Sequence, residues 1–321
     1  MEIVEVDAVE ASLFWQNSLN PNIFLRPEVL SKLSDRTRWF ALVKGDHIKC
    51  IWPICWNDSG IIEAPQFAYW VGPFWGESRK LVAKHSHLSE ELNVFETYIR
   101  FFEEKNFLVD FELSTLDHDV RVFDWWNFNN NRESYFEILP RYTAQIDLEG
   151  FSISDFRRNR KRQLRDFDEL KFEVSNVAPN IQDLIHLYKL EIGSEISESV
   201  RRGIVSLVEL VGMGFGNLIS VYSKETNSLC GFSLSLATSN QSNHVLNLTD
   251  SPSKKAGLHV WLTYSAICSA RASGCKIFDF NGANSPMRGD DKHSYGSSYR
   301  LYFALKQHKF FSGKSRNESM E

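Results

Sequence analysis

The stretch from His244 to Phe280 limits the possible folds more than any other part of this chain. His244–Thr249 reads as a strand, Asp250–Gly257 as a short basic loop, Leu258–Ser273 as a helix and Lys276–Phe280 as a second strand. A loop carrying Lys254, Lys255 and Gly257 that opens directly into a helix presents unpaired backbone N–H groups at the positive end of the helix dipole. Such an end suits a phosphate-bearing ligand, and lysine adds charge to the same target. The second strand runs into Asn281-Gly-Ala-Asn284, residues that tolerate bent backbone beside a ligand.

Length predicts two domains, because 321 residues exceed the roughly 250–300 at which a single core stops growing. The 43% hydrophobic content supports packed cores, and a net charge of −5 argues against broad nucleic-acid binding, DNA included. The opening Met-Glu-Ile-Val-Glu-Val-Asp has no basic region or long apolar run. No segment approaches the ~18 consecutive apolar residues of a membrane span, so a cytoplasmic protein with no membrane partner is expected. Cys50, Cys55, Cys230, Cys268 and Cys275 are scattered and odd in number, which predicts reduced thiols and no metal site. His85-Ser-His87 reads as a solvated loop. Asp117-His118-Asp119 and Asp124 lack the nucleophile elbow or paired ligand set that a triad or metal centre requires.

The first half alternates helix and strand: Pro27–Leu33 helical, Trp39–Lys44 and His47–Trp52 a hairpin, Glu91–Lys105 a helix with Leu92, Phe95, Ile99 and Phe102 on one face, then strand Leu108–Leu113. Ile61–Gly76 is aromatic and rich in Gly and Pro, a pocket wall or domain contact. Asn127–Arg132 reads as a loop, and Arg141–Leu148 as a strand crossing between domains. The second half runs through a basic helix Ser154–Asp166, strand Lys171–Val177, helices Ile181–Ile192 and Ser199–Val211, strands Leu218–Ser223 and Cys230–Ala237, the strand–loop–helix–strand unit, and strand Ser298–Leu305. In that last strand Tyr299, Leu301, Phe303 and Leu305 alternate with Arg300 and Tyr302.

Phe278-Asp-Phe-Asn-Gly282, Lys292-His-Ser-Tyr-Gly296 and the arginine-rich Phe156–Arg165 together give the chain a resemblance to the acyl-CoA half of the GNAT N-acyltransferase superfamily, in its FemA/FemX-like tandem branch. The resemblance covers about Arg141–Gln307 well and the first half in outline. It implies an α/β fold of the mixed-sheet (α+β) kind: two tandem GNAT-like domains, each a mixed, mainly antiparallel sheet flanked by helices, with the active site in the cleft between them. Residues 1–140 would be the acceptor-side domain and 141–312 the acyl-CoA domain, with 313–321 a disordered tail. A monomer is expected, since two packed domains can enclose a site.

The same resemblance implies that coenzyme A lies along Lys254, Lys255, Ala256, Gly257 and Leu258, where Lys254-x-x-Gly257-x-His259 departs from the family pattern in Lys254 and in the bulk of His259. Leu248, Thr249, Asn281 and Asn284 would border the pantetheine arm between two parallel strands that splay apart. A backbone N–H near Thr249–Asp250 would face the thioester oxygen. Tyr295 is a candidate proton donor or a packed ring of the domain face. Asp250 is a candidate for orienting the amine or a cap of the following helix. Arg158, Arg162 and Arg165 share one helix side and fit a diphosphate on the acceptor or a solvated face. Lys292 is placed with the acceptor, and Trp125, Trp126 and Tyr142 stack its base or form interface core.

Relatives of this type use aminoacyl-tRNA to extend cell-wall peptides, often through a long helical arm, or acyl-CoA to acylate amino groups. Residues 178–217 leave room for two short helices and no arm, which favours acyl-CoA. The expectation is therefore N-acylation of a nucleotide-linked amino sugar for surface polysaccharide such as lipopolysaccharide O-antigen, first a dTDP-3-amino-3,6-dideoxyhexose receiving 3-hydroxybutanoyl. A FemX-like aminoacyl-tRNA-dependent peptide transferase and a non-catalytic binding protein of the same fold remain as alternatives.

Overall fold

In a computed structural model the chain is described at residues 1–309 except 20, 59, 61, 78, 80–82, 116–118 and 128–133. Asp117 and His118, the Asn127–Arg132 loop beyond Asn127 and the 313–321 tail lie outside the described residues. Strands β1 (Glu2–Val6), β2 (Thr37–Lys44), β3 (His47–Cys55) and β4 (Phe74–Trp75) form one antiparallel sheet in that order. Helix α1 (Ala8–Gln16), capped by Asp7, and α2 (Pro27–Leu33) lie between its first two strands. The long helix α3 (His87–Glu104) buries Val94, Phe95, Tyr98, Ile99 and Phe102, the spacing of one helical stripe. That stripe packs on Trp52, whose ring meets Phe95, Tyr98, Phe102 and Phe111 edge-on at centroid distances of 4.6–6.1 Å.

An eight-stranded sheet makes up the rest. Its strands are β5 (Asp110–Glu112), β6 (Ser134–Asp147), β7 (Phe172–Ser175), β8 (Gly216–Ser223), β9 (Leu229–Ala237), β10 (Gln241–Thr249), β11 (Ile277–Asp279) and β12 (Ser298–Lys309), in spatial order β5-β12-β6-β11-β10-β9-β8-β7. All neighbours are antiparallel except β10 and β11. Helices α6 (Ile181–Ile192) and α7 (Glu198–Gly212) cover one face, and α9 (Leu258–Ala272) the other. Ala266 and Ala270 on α9, together with Gly231 beneath Leu258 and Leu262, let that helix sit close to the sheet. The helices α4 (Arg121–Asp124), α5 (Arg158–Arg165), α8 (Ser251–Lys255) and α10 (Pro286–His293) are short.

The halves of the chain share strands. β6 and β12 pair over their full lengths, from Ser134↔Lys309 to Gln145↔Ser298. At one end Phe136 and Leu305 enter the core under α3; at the other Ala144 and Ile146 join the core under α9. Residue 140 therefore falls inside β6. A third core is built from both halves: Ile23, Phe24, Val29, Phe67 and Trp70 pack on Leu184, Leu207, Leu234 and Tyr302. The β12 alternation differs from expectation. Tyr302 is buried, while Tyr299 and Leu301 are exposed, because the strand leaves one core and enters another along its length.

Shared strands couple the cores. Trp52→Ala empties the α3 core and should lower stability by about 3–5 kcal/mol. It should also move one urea transition followed equally by fluorescence and far-UV circular dichroism. Two separate transitions would show that the halves unfold independently.

Candidate active site

β10 and β11 pair in parallel over only three positions, Gln241↔Ile277, Ser242↔Phe278 and Asn243↔Asp279. Beyond them the strands part, and a bulge between His244 and Leu246 leaves Val245 out of the ladder with β9. The end of β11 is held open by Asn281 in a left-handed conformation, φ 51°. Its N–H donates to Asp279 Oδ1 at 2.8 Å, and its Nδ2 reaches across the gap to the His244 carbonyl at 3.1 Å.

Asp279 is fully buried and also accepts from Thr143 and from Gln145 Nε2. Burial pushes its carboxyl above the usual range, opposed by those hydrogen bonds. Lys292 Nζ donates to the carbonyls of Phe280 (2.9 Å), Asn281 and Gly282. Burial lowers its pKa to about 8, opposed by Asp279. Its three donors are all taken by backbone, so Lys292 shapes the end of β11 and has no free N–H for an acceptor.

The loop after β10 holds a helix, α8, that its composition concealed. Asp250 caps it, accepting from Ser253 N at 2.7 Å, and the Asp250 N–H donates to the Cys230 carbonyl at 3.0 Å. Asp250 is a cap, and its amide is not free to face a thioester oxygen. Lys254 is ion-paired with Glu191 of α6 at 2.6 Å, whereas Lys255 is exposed and has no partner among the described residues. Ala256 ends α8 and Gly257, at φ 95°, begins α9 with no side-chain cap. A Cβ on Gly257 would lie 2.8 Å from the Gln163 carbonyl, so glycine is required twice over. Leu258 is buried beside Leu262, leaving its backbone as the part near the helix end.

Around the parted strands, side-chain polar atoms are buried without partners among the described residues: Asn247 Oδ1, Thr249 Oγ1, His259 Nδ1 and Asn281 Oδ1; the buried Tyr295 hydroxyl lies against Thr263. Such atoms are costly unless a ligand or water satisfies them. Leu248 faces the opposite way, into the core under α6 and α7. The Tyr295 ring stacks on Phe280 at 5.7 Å, beneath Arg160, and burial pushes its phenol pKa upward. It is a packed ring whose hydroxyl points into this region.

The arginines of α5 divide. Arg157 grips Asp290 through two bonds of 2.8 and 2.9 Å, and Arg160 holds Asp291 and Ser294 Oγ. Arg165 pairs with its neighbour Asp166, and Arg158 and Arg162 are exposed without partners among the described residues. Through Gln163 and Gly257, α5 abuts the start of α9, so these arginines stand beside that helix end. Trp126 is buried far away, donating to Glu103 and Ser134, and Trp125 lies exposed under Arg121. Ser134 and Tyr142 are eight residues apart on β6, roughly 27 Å, so these rings and Tyr142 do not meet. Tyr142 instead lines a cavity of about 430 Å³ with Asn284, Gly289 and Tyr299. Asn284 accepts from the Tyr142 N–H at 2.6 Å and donates to the Tyr302 hydroxyl at 3.0 Å.

The other side of the gap holds Tyr69 and Trp70, from the aromatic stretch read as a pocket wall or domain contact, and leads to Glu112, which sequence reasoning missed. The Tyr69 ring lies 3.9 Å from where a Gly282 Cβ would stand. Beside it the Trp70 N–H donates to Glu112 Oε2 at 3.1 Å. The signal for Glu112 was the pair of acids, Asp110 and Glu112, inside the otherwise apolar run Leu108–Leu113.

No family model matches the chain, and no curated protein matches it. Solved structures do. FemX superposes with a TM-score of 0.63 at 10% identity, over 94% of this chain and 97% of its own. L-PGS from Bacillus licheniformis gives 0.58 at 13%, over 97% and 94%. A tandem GNAT protein from the clavulanic acid biosynthesis pathway, solved without AcCoA, gives 0.57 at 10%, over 98% and 99%. The chain has the tandem GNAT fold. Among the described residues no helix is long and apolar enough to cross a membrane, and no cluster of residues could hold a metal ion.

Burial pushes the His244 imidazole down to about 3, with its ring on Ser233 Oγ at 2.9 Å. The unfolded chain takes up that proton below about 6.5. It therefore binds more protons than the fold between pH 6.5 and 3, and stability falls as acid is added across that window. Removing this group with His244→Gln should abolish about 2 kcal/mol of the loss between pH 7 and 5. Urea midpoints at both pH values check this; equal losses in both proteins would contradict it.

Proposed function

We propose that this chain is an acyl-CoA-dependent N-acyltransferase acting on an amine, with a nucleotide-linked amino sugar as the acceptor to test first. One observation carries the reading. The β10–β11 gap leads to an uncapped helix end and is bordered by buried polar atoms that lack partners. An extended amide-bearing arm ending in phosphates satisfies both, by strand addition along the gap and by anion binding at the helix end. Coenzyme A, when bound, supplies the activated thioester.

The residues that would hold it are Leu258 and His259 through their amides, Lys255 through charge, and Asn247, Thr249 and Asn281 through side-chain oxygens. Val245, freed from the ladder by the bulge, is the candidate oxyanion donor in place of the engaged Asp250 amide. The Tyr295 hydroxyl is the nearest candidate for returning a proton to sulphur. Arg158 and Arg162 extend the positive surface beside the α9 end and are assigned to the donor. The same two arginines favour a second reading, in which the donor is an aminoacyl-tRNA. Nucleic-acid binding would then weaken steeply with salt.

Free-thiol release from a panel of acyl-CoAs, with amino sugars and nucleotide-linked amino sugars as acceptors, tests the proposal. Lys255→Glu should raise KM for acyl-CoA about ten-fold, the loss of one charge-assisted phosphate contact, and leave kcat within two-fold. No thiol release, with aminoacyl transfer from tRNA instead, would replace the first reading by the second.

A further inference from the structure

Helix α10 carries two cations on one face, and the fold uses only one of them. Arg288 and Lys292 are four residues apart, which sets their Cβ atoms about 5–6 Å from each other on the same side of the helix. Lys292 places its donors on the carbonyls of Phe280, Asn281 and Gly282. Arg288 is exposed, and its guanidinium has no partner among the described residues. It stands one turn from the lysine that holds the end of β11, where Asn281 reaches across the gap to the His244 carbonyl.

Two phenols from other elements share the field of that guanidinium. The Tyr69 ring, on the loop from the first half, lies 3.9 Å from where a Gly282 Cβ would stand. Tyr188, on α6, meets Phe67 of the same loop edge-on at 6.2 Å. Both tyrosines are half-buried, and neither hydroxyl has a hydrogen-bond partner among the described residues. Burial pushes each phenol pKa upward, and the Arg288 charge opposes that push at both. The two carboxylates on the inner side already have donors: Glu112 has the Trp70 N–H, and Asp279 has Thr143, Gln145 and the Asn281 N–H.

The loop that brings Tyr69 to Gly282 is strained. Phe67 and Trp70 sit at φ 68° and 54°, a region that bulky side chains rarely occupy. Such conformations persist only where surrounding packing imposes them. Here Phe67 is wedged against Gly203 of α7, and Trp70 packs edge-on against Tyr302. An exposed arginine alone would be a solvated charge. Joined by two partnerless hydroxyls on separate elements, it becomes one side of a set of donors that converge beside the gap. A guanidinium has no acceptor and keeps its proton, and its planar fork matches the oxygens of a phosphate or a carboxylate.

We propose that Arg288, with the hydroxyls of Tyr69 and Tyr188, grips an anionic oxygen group of the acceptor, so that the substrate is an amine that also bears a phosphate or a carboxylate. This rests on the acyl-transfer reading above and adds to it the charge of the acceptor. Holding the anion against Gly282 leaves the amine end free to point toward the parted strands.

The test is acyl transfer by the full chain to one amino sugar offered in three forms: the free sugar, its sugar phosphate and its uronic acid. Wild-type kcat/KM should favour one of the two acidic forms about 30-fold over the free sugar, and the winner tells phosphate from carboxylate. Arg288→Gln should remove that advantage through KM, while activity on the free sugar and KM for acyl-CoA stay within two-fold. Arg288→Lys, which keeps the charge and loses the fork, should cost the favoured form about five-fold. The double variant Tyr69→Phe, Tyr188→Phe should cost it about ten-fold and spare the free sugar. Because Arg288 is exposed, R288Q should melt at the wild-type Tm. Equal use of all three forms by the wild type would overturn the assignment and leave the acyl-transfer reading intact. So would an R288Q protein that keeps the wild-type preference or loses activity equally on every form. No transfer by the wild type to any amine would overturn that reading and this one together.

Discussion

Two buried opposite charges, Asp279 and Lys292, define where β11 stops being a strand. Asp279 gathers donors from β6 and the Asn281 amide; Lys292 gathers the carbonyls of the three residues that follow Asp279. Neither charge is exposed, so each depends on those hydrogen bonds to offset its desolvation. Removing one partner of such an arrangement typically costs ~3–5 kcal/mol, because the other is left uncompensated. What they hold is a short length of backbone bent away from β10, with Asn281 as its strut. The gap between the strands exists because this bend is fixed.

The same bend joins three elements that have no sequence proximity. Thr143 and Gln145 belong to β6, which begins in the first half's core. Lys292 belongs to α10, which Arg157 and Arg160 lock onto α5 through Asp290 and Asp291. Helix α5 then leans on Gly257 at the start of α9. Six positive charges clustered on one short helix and its N-cap would otherwise repel. Two of them are neutralised by α10, which turns the cluster into a tie between α5 and α10 and leaves Arg158 and Arg162 facing solvent.

Much of this was legible in sequence where the signal is local. Helices Ile181–Ile192 and Leu258–Ala272 sit within a residue of their expected ends, because apolar spacing, Asn180 and Gly193 or Gly257 mark them. The gap between two parallel strands and its bordering residues Thr249 and Asn281 were reached through family resemblance. Helix α10 was not legible: it is polar, begins at Ser285-Pro286 in what reads as a turn, and is held by ion pairs to α5. Side-chain roles failed wherever the partner lies far along the chain. Nothing near Lys254 announces Glu191, and nothing near Lys292 announces three carbonyls. Trp125 and Trp126 looked adjacent to the junction because β6 was taken to begin at Arg141. Its true start at Ser134 carries them roughly 27 Å from Tyr142.

Why the first half is needed follows from the strand order. With β12 and β6 reaching into the α3 core, the second half cannot close its sheet without strands that the first half anchors. Conversely, among the described residues β5 pairs with β12 alone, and the strained Phe67–Trp70 loop is pressed into the joint core by α6 and α7. The face around the β10–β11 gap is therefore built within one half, from β10, α9, α10 and α5. The opposite face at Gly282 is assembled only when both halves are in place. With the Tyr69 ring against Gly282 and Lys292 on the Gly282 carbonyl, a shift between the halves moves Tyr69 relative to the gap. The strands shared by the two halves are also what hold Tyr69 and the gap in register.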